Sequence, residues 1–376
     1  MRCRTVFLAL WMATRAAGLW AADAADRPFR GVTHIFRTET APRNLHIHIV
    51  KIDLTAPGIG FKLTPPGGKL ETVRQTTLGF LREEHAQIAI NAHFFLPFPS
   101  SNPDAWLVGF AASEGKVYSA FEKPAQSYAI VADAPALNID AANHAGMVHR
   151  DRAVADGRHI VERVTVWNAL AGSAEIVTNG VKTIPRYEDG QNPGGLLTPG
   201  GPNHYSNAKS WYDVPQARTA IGLSRDGRTL FLFTVDVRGG SAGMTVGEVA
   251  GMMIREGAFE ALNLDGGGST TLAMENPATH AGEIVNVSSD NPGGRAVGSN
   301  LAVFAGGEQA GCGTGCEVPG VRIRPQFFET IGVDCHARLS IFQTVFFPGS
   351  TAGGRRPARR IRQHAVAQGD GVQVAQ

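Results

Sequence analysis

The sequence predicts an α/β fold of the mixed α+β kind, a mixed sheet built on two strand–helix–strand units with a β-rich segment between them. Three observations carry this. Short runs alternate apolar and polar residues at the period of a strand. Two of these runs are each followed by a helical stripe and then by a second short run. Glycine supplies 45 of the 376 residues, which calls for many tight turns.

In the first unit, Leu45-His46-Ile47-His48-Ile49-Val50-Lys51-Ile52 alternates as a strand. Thr72-x-x-Gln75 reads as a capping box, with Val73, Thr76, Thr77 and Phe80 as the helical stripe behind it. Ile88-Ala89-Ile90 is then a strand that delivers Asn91 and His93 to its end. In the second unit, Thr229 to Val235 is a strand ending in Asp236 and Arg238. Thr245-x-x-Glu248 is another capping box, followed by Val246, Val249, Ala250 and Met253 at helical spacing, a stop at Gly257 and a strand over Ala261 to Leu264. This is the pattern of a parallel crossover, whose two strands end on one edge of a sheet, where open α/β sheets bind ligands. Asp236, Arg238, Asn263 and Asp265 are therefore expected to converge, joined by Asn91 and His93 if the two units pack together. Between the units, residues 105–230 read as mostly β, with turns at Ser113-Glu114-Gly115-Lys116, Thr178-Asn179-Gly180 and Arg225-Asp226-Gly227.

Composition narrows the function. A chain with 43% hydrophobic and 18% charged residues is an ordinary globular protein. A net charge of +2 and no basic stripe argue against a nucleic-acid partner; the arginines of residues 355–362 belong to a solvated tail. Arg2 and Arg4, the apolar run Val6 to Ala13 and the small residues Ala21-Ala22-Asp23-Ala24-Ala25 read as an export signal, too short for a stable membrane span. The expected divisions are a signal peptide over 1–25, one domain over 27–306, and a poorly structured extension over 307–376. Export makes the protein periplasmic or secreted. The cysteines Cys3, Cys312, Cys316 and Cys335 all lie outside the domain, and a tail disulfide is a better reading than a zinc site.

The most informative stretch runs from Leu262 to Thr271. Leu262 and Leu264 alternate with Asn263 and Asp265, and Gly266, Gly267, Gly268 and Ser269 follow the carboxylate. Glycines there allow a sharp turn and a nest of backbone amides within reach of an anionic or sugar ligand. Arg218, Arg238 and Arg295 sit beside the candidate strand ends, and arginine suits bidentate binding of phosphate.

The ordered blocks Ala89-Ile90-Asn91-Ala92-His93-Phe94-Phe95, Arg218-Thr219-Ala220-Ile221-Gly222, Val235-Asp236-Val237-Arg238, Gly243-Met244-Thr245, Asn263-Leu264-Asp265-Gly266-Gly267-Gly268-Ser269 and Arg295-Ala296-Val297-Gly298 resemble the phosphodiester glycosidase family. The resemblance spans roughly residues 30 to 306. It implies hydrolysis of the bond between a sugar's anomeric carbon and a phosphodiester, acting on a sugar-phosphodiester or a cell-envelope glycan. Asp265 would then be base or nucleophile, with Asp236 second and Glu283 a distant third. Arg218, Arg238 and Arg295 would hold the phosphate, and Asn91 and Asn263 would bind sugar hydroxyls. The family commonly has glycine or asparagine near His93, so His93 is expected to alter the substrate pocket. Segment 288–294 is similar to the family's serine–aspartate loop, and its glycines suggest a flexible rim. No cofactor is required by this scheme, although Asp236, Asp265, Asn263 and Asn91 offer oxygen ligands fit for calcium or magnesium. Two other readings stay open: a phosphodiesterase that cuts phosphorus–oxygen bonds, and a non-catalytic envelope glycan-binding module.

Overall fold

The computed structural model describes residues 22–121, 131–184 and 212–306. The cysteines and the extension beyond residue 306 lie outside the described residues, as does the apolar run near the N-terminus. No described helix is long and apolar enough to cross a membrane.

The protein is mostly β. An eight-stranded sheet runs in the order Ala22–Asp26, Val32–Glu39, Leu45–Asp53, Thr229–Val235, Arg218–Ser224, Ala258–Asn263, Ala174–Thr178 and Val181–Lys182. A five-stranded sheet follows the order Gly282–Ile284, Leu272–Glu275, Ile88–Asn91, Asn300–Ala305 and Ile59–Leu63. Another five-stranded sheet, drawn from residues 111–171, confirms the β-rich middle segment. The described residues hold two α-helices, α1 (Thr77–Glu84) and α2 (Val246–Glu256).

Alternation along the strands decides the layering. Ile47, Ile49, Phe233, Ala220 and Ala261 point from the large sheet towards Val246, Val249, Ala250 and Met253 of α2. Val50, Ile52, Leu232, Ile221 and Leu262 point the other way, into a core shared with Ile88, Ile90, Leu301 and Val303 of the second sheet and Leu137 and Leu170 of the third. On the outside of the second sheet, α1 buries Phe80 against Ala302 and Leu81 against Ala89 and Ala273. The central strands of the large sheet are thus buried on both faces, which explains their near-continuous apolar character.

The second strand–helix–strand unit has the expected consequence by a different topology. Thr229–Val235 and Ala258–Asn263 each pair antiparallel with Arg218–Ser224, which lies between them. They are therefore parallel to each other without touching, and their ends reach the same edge. The capping box of α2 is formed, with the Thr245 hydroxyl accepting from the Glu248 amide, and Gly257 closes the helix in the left-handed region. The first unit divides between sheets: Leu45–Asp53 belongs to the large one and Ile88–Asn91 to the second. The strand Ile59–Leu63 intervenes and takes the chain across. Every ladder among the described strands is antiparallel, not the mixed sheet the sequence suggests. The cap of α1 is Thr76, not Thr72; its hydroxyl accepts from Gly79, while the Thr72 hydroxyl donates to the Gly298 carbonyl.

Two local details bear on the ends and turns. Asn179 and Gly180 both have positive φ, as a two-residue hairpin between Thr178 and Val181 requires. Residues 22–25, which the sequence assigns to a leader, lie in the edge strand Ala22–Asp26, where Asp23 accepts a bidentate pair from Arg37 at 2.8 Å and 2.8 Å.

Candidate active site

The loop after Ala258–Asn263 bridges the two larger sheets. The Leu264 amide donates to the Thr219 carbonyl of the large sheet at 2.9 Å, and the Asp265 amide to Ala92, just beyond the second sheet's Ile88–Asn91 strand, at 3.0 Å. Asn91 fixes the loop from below. Its amide nitrogen donates to the Asp265 carbonyl at 2.6 Å, and its side-chain oxygen accepts from the Thr219 hydroxyl at 2.9 Å and the Thr271 amide at 3.0 Å. A buried side chain bonded on both sides holds a backbone firmly, so the loop is braced where the two sheets part.

The glycines then turn the chain. Gly267 has φ +58, and Gly267–Ser269 forms one 3-10 turn. The amides of Gly267, Ser269 and Thr270 donate to the carbonyls of Ala217, Gly266 and Gly267. These three amides are spent on folding the loop and form no open nest. Gly268 serves differently: a Cβ there would run into the Arg295 guanidinium, so glycine lets that arginine lie against the backbone.

This contact assembles a polar cluster. Arg295 donates from Nη1 to Ser269 Oγ at 3.2 Å and from Nε to Asp290 Oδ2 at 2.8 Å, and its guanidinium lies 4.6 Å over the Phe98 ring. Asp265 is half-buried at the floor, with protein atoms crowded around its carboxylate. Burial pushes its pKa up to about 7, against the opposing pull of the Ser269 hydroxyl, the Arg295 charge and the Gly266 amide.

Asp236 is built in rather than poised. It is 1% exposed, and Oδ1 accepts from Asn286 Nδ2 at 3.0 Å and from the Val287 amide at 3.1 Å. Burial raises its pKa, while those two donors and His46 oppose the rise. Asn286 also donates to the Thr270 carbonyl at 3.3 Å, so one side chain ties Asp236 to the Asp265 loop. Arg238 is exposed and donates to the Ser289 carbonyl at 3.0 Å. Segment 286–290 is therefore a strap that touches Asp236, Arg238 and Arg295 in turn.

The structure brings together Asp265, Gly266, Gly267, Gly268, Ser269 and Arg295, with Asp236 and Arg238 attached through the strap. The remaining predicted site residues face inward. Arg218 is buried, with Nε donating to the Met244 carbonyl at 3.0 Å and Nη2 to Val214 at 2.6 Å, and burial pulls its pKa down to about 10. His93 is fully buried; Nδ1 lies 2.8 Å from Ser299 Oγ, and Nε2 accepts from the Ala171 amide at 2.9 Å. Its pKa falls to about 4 through burial, so it is a neutral core residue. Asn263 is buried on the α2 side and donates to Ser173 Oγ at 2.8 Å. Glu283 is exposed, accepts from Asn276 at 3.3 Å and joins none of these contacts. Among the described residues, no group of three or more His, Cys, Asp or Glu side chains could hold a metal ion.

Sequence reasoning missed Asn286, Phe98 and Thr219. Asn286 stands alone between Val285 and Val287, where nothing marks it from an ordinary strand position. Asp290 carried a signal, since it lies in the serine–aspartate segment read as a rim.

The family model described as phosphodiester glycosidase matches residues 84–304, more than half the chain. The chain belongs to the phosphodiester glycosidase family. No curated protein sequence matches it. Among solved structures, it resembles a hypothetical protein from Synechocystis (TM-score 0.51, 15% identity), covering 73% of this chain and 62% of that one, so it spans under two thirds of that protein. It also resembles a protein of Burkholderia pseudomallei K96243 whose name marks it as an export candidate (TM-score 0.52, 15% identity; 80% and 100% covered). A further match is the zebrafish N-acetylglucosamine-1-phosphodiester alpha-N-acetylglucosaminidase catalytic domain, auto-inhibited by its pro-peptide (TM-score 0.47, 18% identity; 77% and 84% covered). The first two likenesses show a shared fold.

Proposed function

We propose that this phosphodiester glycosidase family member hydrolyses the bond between a sugar's anomeric carbon and a phosphodiester, with Asp265 as base or nucleophile. The observation that carries the reading is the Asp265–Ser269–Arg295 cluster, which sets a carboxylate pushed up to about 7 beside a guanidinium. A group titrating near neutrality suits proton transfer or attack at physiological pH. A phosphodiester leaves as a weak base and needs little protonation. One reactive carboxylate and a cationic clamp then supply most of the stabilisation the reaction needs.

In this scheme Arg295, steadied by Asp290 and Phe98, meets the phosphate from one side and Arg238 from the rim. Ser269 donates to Asp265 and holds its carboxylate in place. Asp236 supplies a fixed acceptor for the substrate, not the attacking group. Arg218, Asn91 and Asn263 act by supporting the loop and the sheet edge. The substrate is a sugar-phosphodiester of the cell envelope or its surroundings. Export is part of the proposal, supported by the charged start and apolar run of the sequence and by the likeness to the Burkholderia protein.

The test is to incubate the purified full chain with a panel of sugar-1-phosphodiesters and score free sugar. Release by the wild type and its loss in Asp265→Asn is the expected result. Release at similar rates by both proteins would refute the assignment of Asp265.

A further inference from the structure

The strands Val32–Glu39 and Leu45–Asp53 pair with Phe36 opposite His48 and Thr38 opposite His46. His34, Phe36, His46 and His48 therefore share one face of the large sheet, the face that Asp236 also occupies just past its strand. With Val285 and Val287 across from them, they line an open cavity of about 260 Å³. Among the described residues, no lysine or arginine lines it. The histidines precede residue 84, outside the segment matched by the family model, while Asp236, Val285 and Val287 lie inside it.

Hydrogen bonding assigns the protons in the cavity wall. His34 Nδ1 lies 3.2 Å from Asp26 Oδ1, and His34 Nε2 lies 3.0 Å from His48 Nδ1. The neighbouring Asp26 carboxylate favours a proton on Nδ1 of His34, with Nε2 accepting. His48 must then donate from Nδ1, which leaves its Nε2 as a bare acceptor without a protein partner among the described residues. Burial keeps both rings below the usual imidazole pKa, His48 at about 3, in agreement with neutral tautomers. Asp236 adds carboxylate lone pairs beyond those engaged by Asn286 and Val287. Phe36, packed against the rings of His46 and His48 at 5.9 Å and 4.8 Å, and the two valines supply an apolar wall.

Acceptors interleaved with an aromatic ring, and aliphatic groups across from them, match a sugar ring, which donates through hydroxyls and packs through C–H groups. An anion would meet a carboxylate and no fixed cation. Arg238 is held at Ser289, two residues beyond the Val287 wall. We propose that this cavity receives the glycosyl group as a neutral, hydroxyl-bearing sugar and selects against uronates, with the phosphodiester held outside it on the arginine side. The proposal rests on the phosphodiester glycosidase reading and assigns the two halves of the substrate to two walls of opposite charge character.

The experiment separates binding from turnover. Methyl α-glucoside, α-mannoside, α-galactoside and α-glucuronide, and separately glycerol phosphate, are titrated into the full chain by ligand-observed NMR. At least one neutral glycoside should bind, with the glucuronide at least about tenfold weaker. His46→Ala and His48→Ala should each weaken the neutral glycoside by about tenfold or more while glycerol phosphate affinity stays within about twofold. His48→Gln, which restores an acceptor, should recover part of the loss. Should His48→Ala fail to fold, His46→Ala and Phe36→Ala, both at half-buried positions, carry the test. Folded histidine variants with unchanged glycoside affinity would overturn the proposal, as would an equal loss for glycerol phosphate. Absence of sugar release from every sugar-1-phosphodiester, with glycoside binding still histidine-dependent, would refute the catalytic reading and leave the cavity assignment standing.

Discussion

Asp236 and Asp265 follow two parallel strands to one edge of the same sheet, yet the protein treats them in opposite ways. Two N–H donors, from Asn286 and Val287, bind Asp236 directly, and its side chain is part of the wall. Asp265 is fixed through its backbone, by Ala92 and Asn91, while its carboxylate meets Ser269 and Arg295. On the proposed reading, this difference separates a reactive carboxylate from a structural one. A carboxylate bonded directly by the frame is a fixed acceptor; one held by its backbone, and pushed up to about 7 by its surroundings, is free to exchange a proton.

The comparison breaks most visibly in turnover. Asp265→Asn removes the charge at nearly constant shape and should lower kcat by about a thousandfold or more, with little loss of melting temperature. Asp236→Asn, which keeps an oxygen for Asn286 and Val287, should lower kcat/KM by a smaller factor, about ten to a hundredfold. Equal losses in the two variants, measured as free sugar released, would erase the distinction.

The next effect concerns the phosphate side. Arg295→Lys keeps the charge but loses the planar fork that spans Ser269 and Asp290, and should raise KM for a phosphodiester by about tenfold. Arg238→Lys, at an exposed position bonded to the Ser289 carbonyl, should raise it less. A larger effect at Arg238 would move the clamp to the rim.

Stability should show the reverse ranking. Asp236→Ala leaves the Asn286 amide and the Val287 N–H without their acceptor and should cost about 1–3 kcal/mol in chemical denaturation. Asp265→Ala, which unpairs no strap donor, should cost less. A further effect is in pH. Burial raises the folded pKa of Asp265 to about 7 from 3.8, so between these values the folded state holds more protons than the unfolded one. The stability associated with this group is therefore present below about pH 4 and lost as pH rises through about 7. Asp265→Asn should gain melting temperature relative to the wild type across that window and hold the gain above it. A difference that does not vary with pH would show that Asp265 titrates at its ordinary value.

Much of this was legible in the sequence, for identifiable reasons. The strands Thr229–Val235 and Leu45–Asp53 alternate or run apolar without interruption, and α2 carries both its capping box and its glycine stop. The convergence of Asp236 with the Asp265 loop followed from strand direction alone. Pairing order was not legible, because nothing in Arg218–Ser224 announces that it inserts between two strands that follow it in the chain. The inward turn of Arg218, His93 and Asn263 was hidden for a related reason. Polar residues beside a glycine-rich loop read alike whether they face a ligand or hold the loop, and only the partners, Met244, Ala171 and Ser173, distinguish the two. The histidine cavity went unread because His34 and His48 meet only through the register of their two strands.

The central claim is that water attacks the sugar carbon and not phosphorus, and isotope position tests it most directly. The purified chain is given a sugar-1-phosphodiester in water enriched in oxygen-18, and the products are read by mass spectrometry. Label is expected in the anomeric hydroxyl of the freed sugar and none in the phosphate. Label in the phosphate would contradict it and make the protein a phosphodiesterase.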